Sequence, residues 1–219
     1  MTALTEKMFT IFDRDEFSFK KLKEKYSEEE LAQIKANFKD VWQIWKQVNL
    51  NVAEKLPEGE FAKVHVENWT NGWNLRDHFW AAYRLESMAN QSPCIGVMLD
   101  KKQLQVYLMF QHYKSEKRGD SPEAYNKLLK DLPDWAKKIN SDHWYLWDKN
   151  EMEFADHLSL ATYLADQEKQ ENFDQEALKS SFLLGKFAFR EQDKVDDMEE
   201  FIISTIDNLL PLYRELLNK

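Results

Sequence analysis

Residues 94–111 read CIGVMLDKKQLQVYLMFQ. Cys94 to Leu99 and Leu104 to Gln111 are short runs rich in Ile, Val, Leu, Tyr and Phe, which is the chemistry of strands. The polar link Asp100-Lys101-Lys102-Gln103 is too short for a crossover connection, so the two runs pair as an antiparallel hairpin. Phe61 to Trp69, Phe79 to Glu86 and His143 to Asp148 carry the same chemistry on either side. Together they predict an antiparallel sheet of about five strands.

Helices bracket these strands. Ser27-Glu28-Glu29-Glu30 is a capping-box signature, and behind it Leu31, Ile34, Phe38, Val41, Trp45, Val48 and Val52 recur every three or four residues. Trp42 and Ile44 widen that stripe, as suits a helix lying on a sheet, and Pro57 and Gly59 close it. Ser121-Pro122-Glu123 starts a helix running to about Lys130, with a further turn over Asp134 to Ile139. The remainder reads as helical: a piece around Asp156 to Asp166, a helix from Asp174 to about Arg190, and a last one from Asp193 to Leu217 that Pro211 should kink. Strands flanked by helices without a βαβ rhythm define an α+β fold, with the sheet on a long N-terminal helix and on C-terminal helices. Five Gly and five Pro, spread without a linker-like stretch, predict a single domain over residues 1–219.

The totals narrow the function classes. A net charge of −9 argues against a general DNA-coating role, which rests on Lys and Arg neutralising phosphates. No run approaches the roughly 20 apolar residues of a membrane span. The N-terminal stretch lacks a signal-peptide pattern, and the one cysteine, Cys94, lies in an apolar run that suits a reducing compartment. The expectation is a soluble, cytoplasmic protein.

Motifs for known chemistries are missing. Gly59, Gly72, Gly96, Gly119 and Gly185 are all isolated, so neither a dinucleotide fingerprint nor a phosphate loop can form, and no cofactor is expected. His65-Val66-Glu67 would put an imidazole and a carboxylate on one strand face, with His112 or His143 as neighbours, but this spacing is too unspecific to assign a metal. A hydrolase or nuclease remains the alternative, using His65 with the strand-borne carboxylates Glu67, Glu86 and Asp148.

One stretch stands above background. Asn68-Trp69-Thr70-Asn71-Gly72-Trp73-Asn74-Leu75-Arg76 joins two strands with a composition that core packing does not ask for. Period two then places His65, Glu67 and Trp69 on one face, Trp80, Arg84 and Glu86 on one face of the next strand, and Gln103, Gln105, Tyr107 and Gln111 on another. The bland reading is the exposed side of a one-sided sheet. The functional reading is a binding or interaction module for a small molecule or nucleotide, with Trp69, Asn71, Trp73, Arg84, Tyr107, His65 and Glu67 as contact residues: rings to stack on, an amide to read an edge, and an arginine for an anion.

Phe17 to Tyr26, the helix segment Val41-Trp42-Gln43-Ile44-Trp45-Lys46 and Asn68 to Trp73 resemble a family of uncharacterised bacterial proteins of about this length. The resemblance runs through most of the chain and implies no established site residues. Members sometimes carry the label glucose-6-phosphate dehydrogenase. Such an enzyme is far longer and needs a nucleotide-binding fold, for which this chain has neither glycine loop nor parallel-sheet rhythm.

Overall fold

The computed structural model describes residues 1–113, 115–148 and 157–218. Two short helices, α1 (Glu6–Thr10) and α2 (Phe19–Lys25), precede the long α3 (Glu28–Lys55). The capping box forms as expected: the Ser27 hydroxyl accepts from the Glu30 amide at 3.2 Å and the Glu30 carboxylate accepts from the Ser27 amide at 2.8 Å. The predicted stripe is the buried face of α3, with Ile34 at its margin. Asn49 joins that face with no exposure, donating to the Trp45 carbonyl and accepting from the Tyr83 hydroxyl at 2.8 Å.

The strands are β1 (His65–Val66), β2 (Thr70–Asn71), β3 (Asn74–Leu75), β4 (Phe79–Tyr83), β5 (Pro93–Leu99), β6 (Gln103–Phe110), β7 (Trp144–Asp148), β8 (Leu158–Ser159) and β9 (Phe182–Phe189). Among the described residues the main sheet has seven strands, not five, in the order β1-β4-β5-β6-β9-β7-β8, and all its pairings are antiparallel. β2 and β3 form a separate small hairpin. The expected β5–β6 hairpin pairs Leu99 with Leu104 and runs back to Pro93 against Phe110. The fold is α+β.

Several expectations need correction. The first strand shrinks from Phe61–Trp69 to His65–Val66, with an isolated bridge from Phe61 to Leu85. The helix expected from Asp174 to Arg190 is instead the end of α8 (Gln167–Lys179) followed by β9, which lies between β6 and β7 in the middle of the sheet. Phe-Leu-Leu-Gly-Lys-Phe-Ala-Phe does not alternate because apolar layers cover both faces of a central strand. Helix α4 (Ser115–Arg118) follows β6; α5 (Pro122–Asn126) and a 3-10 turn (Lys127–Asp131) take the place of the helix expected to about Lys130, α6 (Leu132–Ala136) that of the turn expected over Asp134 to Ile139, and Ser121 caps no amide. Of the piece around Asp156, that residue lies outside the described ones, and the helix is α7 (Leu160–Ala165). The last helix, α9 (Met198–Arg214), starts later than expected, capped by Asp197, and runs on past Pro211.

One large apolar cluster extends from Met8 in α1 to Tyr213 in α9, with α3 and α9 packed on one face of the sheet. Tyr213 ties α9 to the sheet by donating to the Pro93 carbonyl at 2.8 Å. The opposite face carries a second, smaller layer: Trp80, Ala82, Cys94, Tyr107, Trp147 and Phe187. No described helix is long and apolar enough to cross a membrane.

Candidate functional site

Of the predicted residues, His65, Glu67, Arg84 and Tyr107 lie on the second face. Gly96, Tyr107 and Gly185 lie side by side on β5, β6 and β9. Without side chains on its two neighbours, the Tyr107 ring can lie across the sheet, and its hydroxyl accepts from the Trp80 indole at 3.0 Å. Tyr107 is buried, so its part is structural: it fixes Trp80. Burial also raises the Tyr107 pKa and pushes Cys94 up to about 11, so neither group ionises readily at neutral pH.

Beside this floor, towards the β1 edge, lies a groove of about 350 Å³ that takes in His65, Glu67 and Arg84 of the predicted set together with Lys63, Gln111 and Arg118. The short β1 pairs His65 with Ala82, which sets the imidazole beside Trp80, ring centres 6.2 Å apart. The Glu67 backbone is held twice, its amide donating to the Trp80 carbonyl at 3.0 Å and its carbonyl accepting from the Trp42 indole at 2.8 Å. Its carboxylate is taken by Arg76 at 2.6 Å. Arg84 and Arg118 donate to the same oxygen, the side-chain carbonyl of Gln111, at 2.5 and 3.1 Å. Among the described residues neither arginine, nor Lys63, forms an ion pair.

The other predicted contacts go elsewhere. Pairing of β1 stops at Val66, so Trp69 leaves the face that period two gave it and packs, half-buried, on the main cluster. Asn71 lies in a shallow pocket with Arg76 and Asp77, while Trp73 stands at the tip of the β2–β3 hairpin, 85% exposed. The two indoles therefore sit in different surroundings. Glu86 lies in an exposed 3-10 turn, and neither it nor Asp148 lines the groove. His112 bonds the Ser181 hydroxyl and His143 faces Asp193, so neither stands with His65; no group of three or more His, Cys, Asp or Glu fit to hold a metal occurs among the described residues.

Arg118 was missed from sequence because it follows β6 on the single-turn α4, outside any period-two pattern. The signal that could have found it is charge: Lys117-Arg118 is a basic pair in the connection after a strand of an acidic chain.

Comparison with known proteins gives one consistent result. A protein of Haemophilus influenzae (strain ATCC 51907 / DSM 11121 / KW20 / Rd) described as "Uncharacterized protein" is 28% identical over 213 residues, covering 97% of this chain and 98% of the relative. Neither this match nor the family match carries the dehydrogenase label, and an all-antiparallel sheet has no crevice at the ends of parallel strands of the kind that holds a dinucleotide. A protein-family model matches residues 4–216, so the chain belongs to that family, an uncharacterised bacterial one, through its whole fold and not through a single motif.

Proposed function

We propose that the protein binds a small phosphorylated molecule, a nucleotide being the reference case, in the groove between β1 and α4. The observation that carries this reading is the convergence of Arg84 and Arg118 on one neutral oxygen, with no carboxylate paired to either among the described residues. Like charges held this close repel by roughly 1–3 kcal/mol near a protein surface, a cost that an anion seated between them turns into attraction. Guanidinium groups match phosphate oxygens in geometry as well as charge. Lys63 and His65 line the same groove, and Trp80 forms part of its floor. Glu67 is occupied by Arg76, and the groove's lining offers no second carboxylate among the described residues; both features favour binding over hydrolysis.

Calorimetric titration with AMP and with inorganic pyrophosphate tests this. Saturable binding is expected for the wild-type chain, at least tenfold weaker in Arg84→Met and in Arg118→Met, together with a rise in melting temperature on adding ligand. Absence of saturable binding of both probes up to millimolar concentration would refute the reading.

A further inference from the structure

A different part of the second face carries a second cavity, independent of the groove. The segment Phe12-Asp13-Arg14-Asp15-Glu16-Phe17 contributes Phe12, Arg14 and Phe17 to its wall, and Asp77 ahead of β4, the β5–β6 turn, the start of β6 and Trp147 of β7 add the further lining used below. At about 550 Å³ it falls within the usual range of small-molecule sites.

Among the described residues, no carboxylate answers the charge of Arg14. Its Nε donates to the Ile11 carbonyl at 3.1 Å and its guanidinium lies 5.1 Å from the centre of the Phe38 ring. Its buried Nη1 has no hydrogen-bond partner among the described residues, and no carboxylate there pairs with it. A partly buried guanidinium left in this state costs stability, and a ligand anion is what would remove the cost. The carboxylates that line the cavity are already engaged: Asp77 with His78 at 2.7 Å, and Asp100 with the backbone amides of Lys102 and Gln103 at 2.6 and 3.0 Å. Lys101 and Lys102 add positive charge to the rim.

The remaining lining selects the rest of the ligand. Phe12, Phe17 and Trp147 give flat apolar walls, Trp147 being stacked on His157 with ring centres 4.8 Å apart. Gln103 and Gln105 line the same space and are only 7% and 4% exposed. We infer that this cavity is a binding site for a planar aromatic carboxylate, its carboxylate answered by Arg14, its ring held by the aromatic walls and its polar edge read by the two buried amides.

The probe is 1-naphthoate, compared with its neutral amide, 1-naphthamide, by calorimetric titration and ligand-observed NMR on the full chain. Naphthoate is expected to bind saturably below millimolar and at least tenfold more tightly than naphthamide. Arg14→Met keeps an unbranched apolar stem and removes the charge that lies over Phe38; it should lose at least tenfold in naphthoate affinity and leave naphthamide unchanged. Arg84→Met, in the groove, should leave naphthoate binding as in the wild type. Equal affinity for acid and amide, absence of naphthoate binding, or a loss caused by Arg84→Met and not by Arg14→Met would each overturn the inference. The comparison of the two probes on the wild-type chain stands even if a variant fails to fold.

Discussion

At Gly185 a Cβ would come within 2.5 Å of the Tyr107 Cβ and 2.8 Å of the Val106 carbonyl oxygen, atoms that cannot swing away. At Gly96 the nearest atom is the tip of the Tyr107 ring, at 2.8 Å, which has more freedom to shift. Gly185→Ala should therefore destabilise by about 1–3 kcal/mol or more, and by more than Gly96→Ala, read as a lower urea midpoint at unchanged slope. Trp73 is the opposite case. With the residue 85% exposed, its tie to the fold among the described residues is its backbone carbonyl, which accepts from the Phe19 amide. Trp73→Ala should change stability by less than about 0.5 kcal/mol in the same assay, and a drop of several kcal/mol would show that the indole packs in solution. Sequence composition marked Trp69 and Trp73 alike; burial separates them, because only Trp69 is within reach of the main cluster.

The α3 helix was legible from its single buried stripe and capping box, and the β5–β6 hairpin from its strand chemistry and short polar turn. β9 was not, since Phe182 to Phe189 is apolar on both faces and continues from α8 with only Ser180 and Ser181 between them. The break was nonetheless written in those two serines and in Gly185, which a helix interior would disfavour. Period two set His65 with Glu67 and Arg84 with Trp80, residues that line one groove, but it set Trp69 and Glu86 on the same faces, and Arg118 needed the tertiary fold to arrive beside them. Contacts between distant helices were equally invisible. Glu199, near the start of α9, accepts from Asn51 at 2.9 Å and from Lys55 at 2.6 Å, both on α3. The Asn51 amide first, and then Lys55, hold its carboxyl below the ordinary value of 4.5. A lowered folded-state value means that this link contributes fully above about pH 4.5 and is lost as the pH falls through that lowered value. Glu199→Gln should accordingly lower the denaturant midpoint at pH 7, with the difference from wild type closing as the pH is taken towards 3. A difference that is constant across that range would show that the carboxylate's charge plays no part.

Across the whole molecule, the two faces of the sheet are covered differently, and the N-terminal segment bears on both. Met8, Phe9, Ile11 and Phe12 lie in the main cluster with exposures of 2%, 4%, 6% and 1%, while Phe12 also lines the cavity on the second face. Backbone bonds from Leu4 to Val195 and from Met198 to Thr2 tie the segment to the start of α9, and Arg190, just beyond β9, pairs with both Glu6 and Asp13. Burying four such side chains is worth roughly 6–12 kcal/mol as an upper figure. That is comparable with the whole net stability of a typical domain, about 5–15 kcal/mol. A chain lacking residues 1–12 is therefore expected to lose cooperative unfolding altogether, visible as a flat thermal melt and collapsed amide dispersion in NMR. Arg190→Met, which cuts the ion pairs to Glu6 and Asp13 together with the bond to the Lys101 carbonyl and the contact over the Phe9 ring, should by contrast keep a sharp transition, because pairs whose carboxylates are exposed add little. If the truncated chain melted cooperatively near the wild-type midpoint, the segment would be an appendage to a complete core, and Phe12 and Arg14 would be mobile walls of the cavity instead of fixed ones.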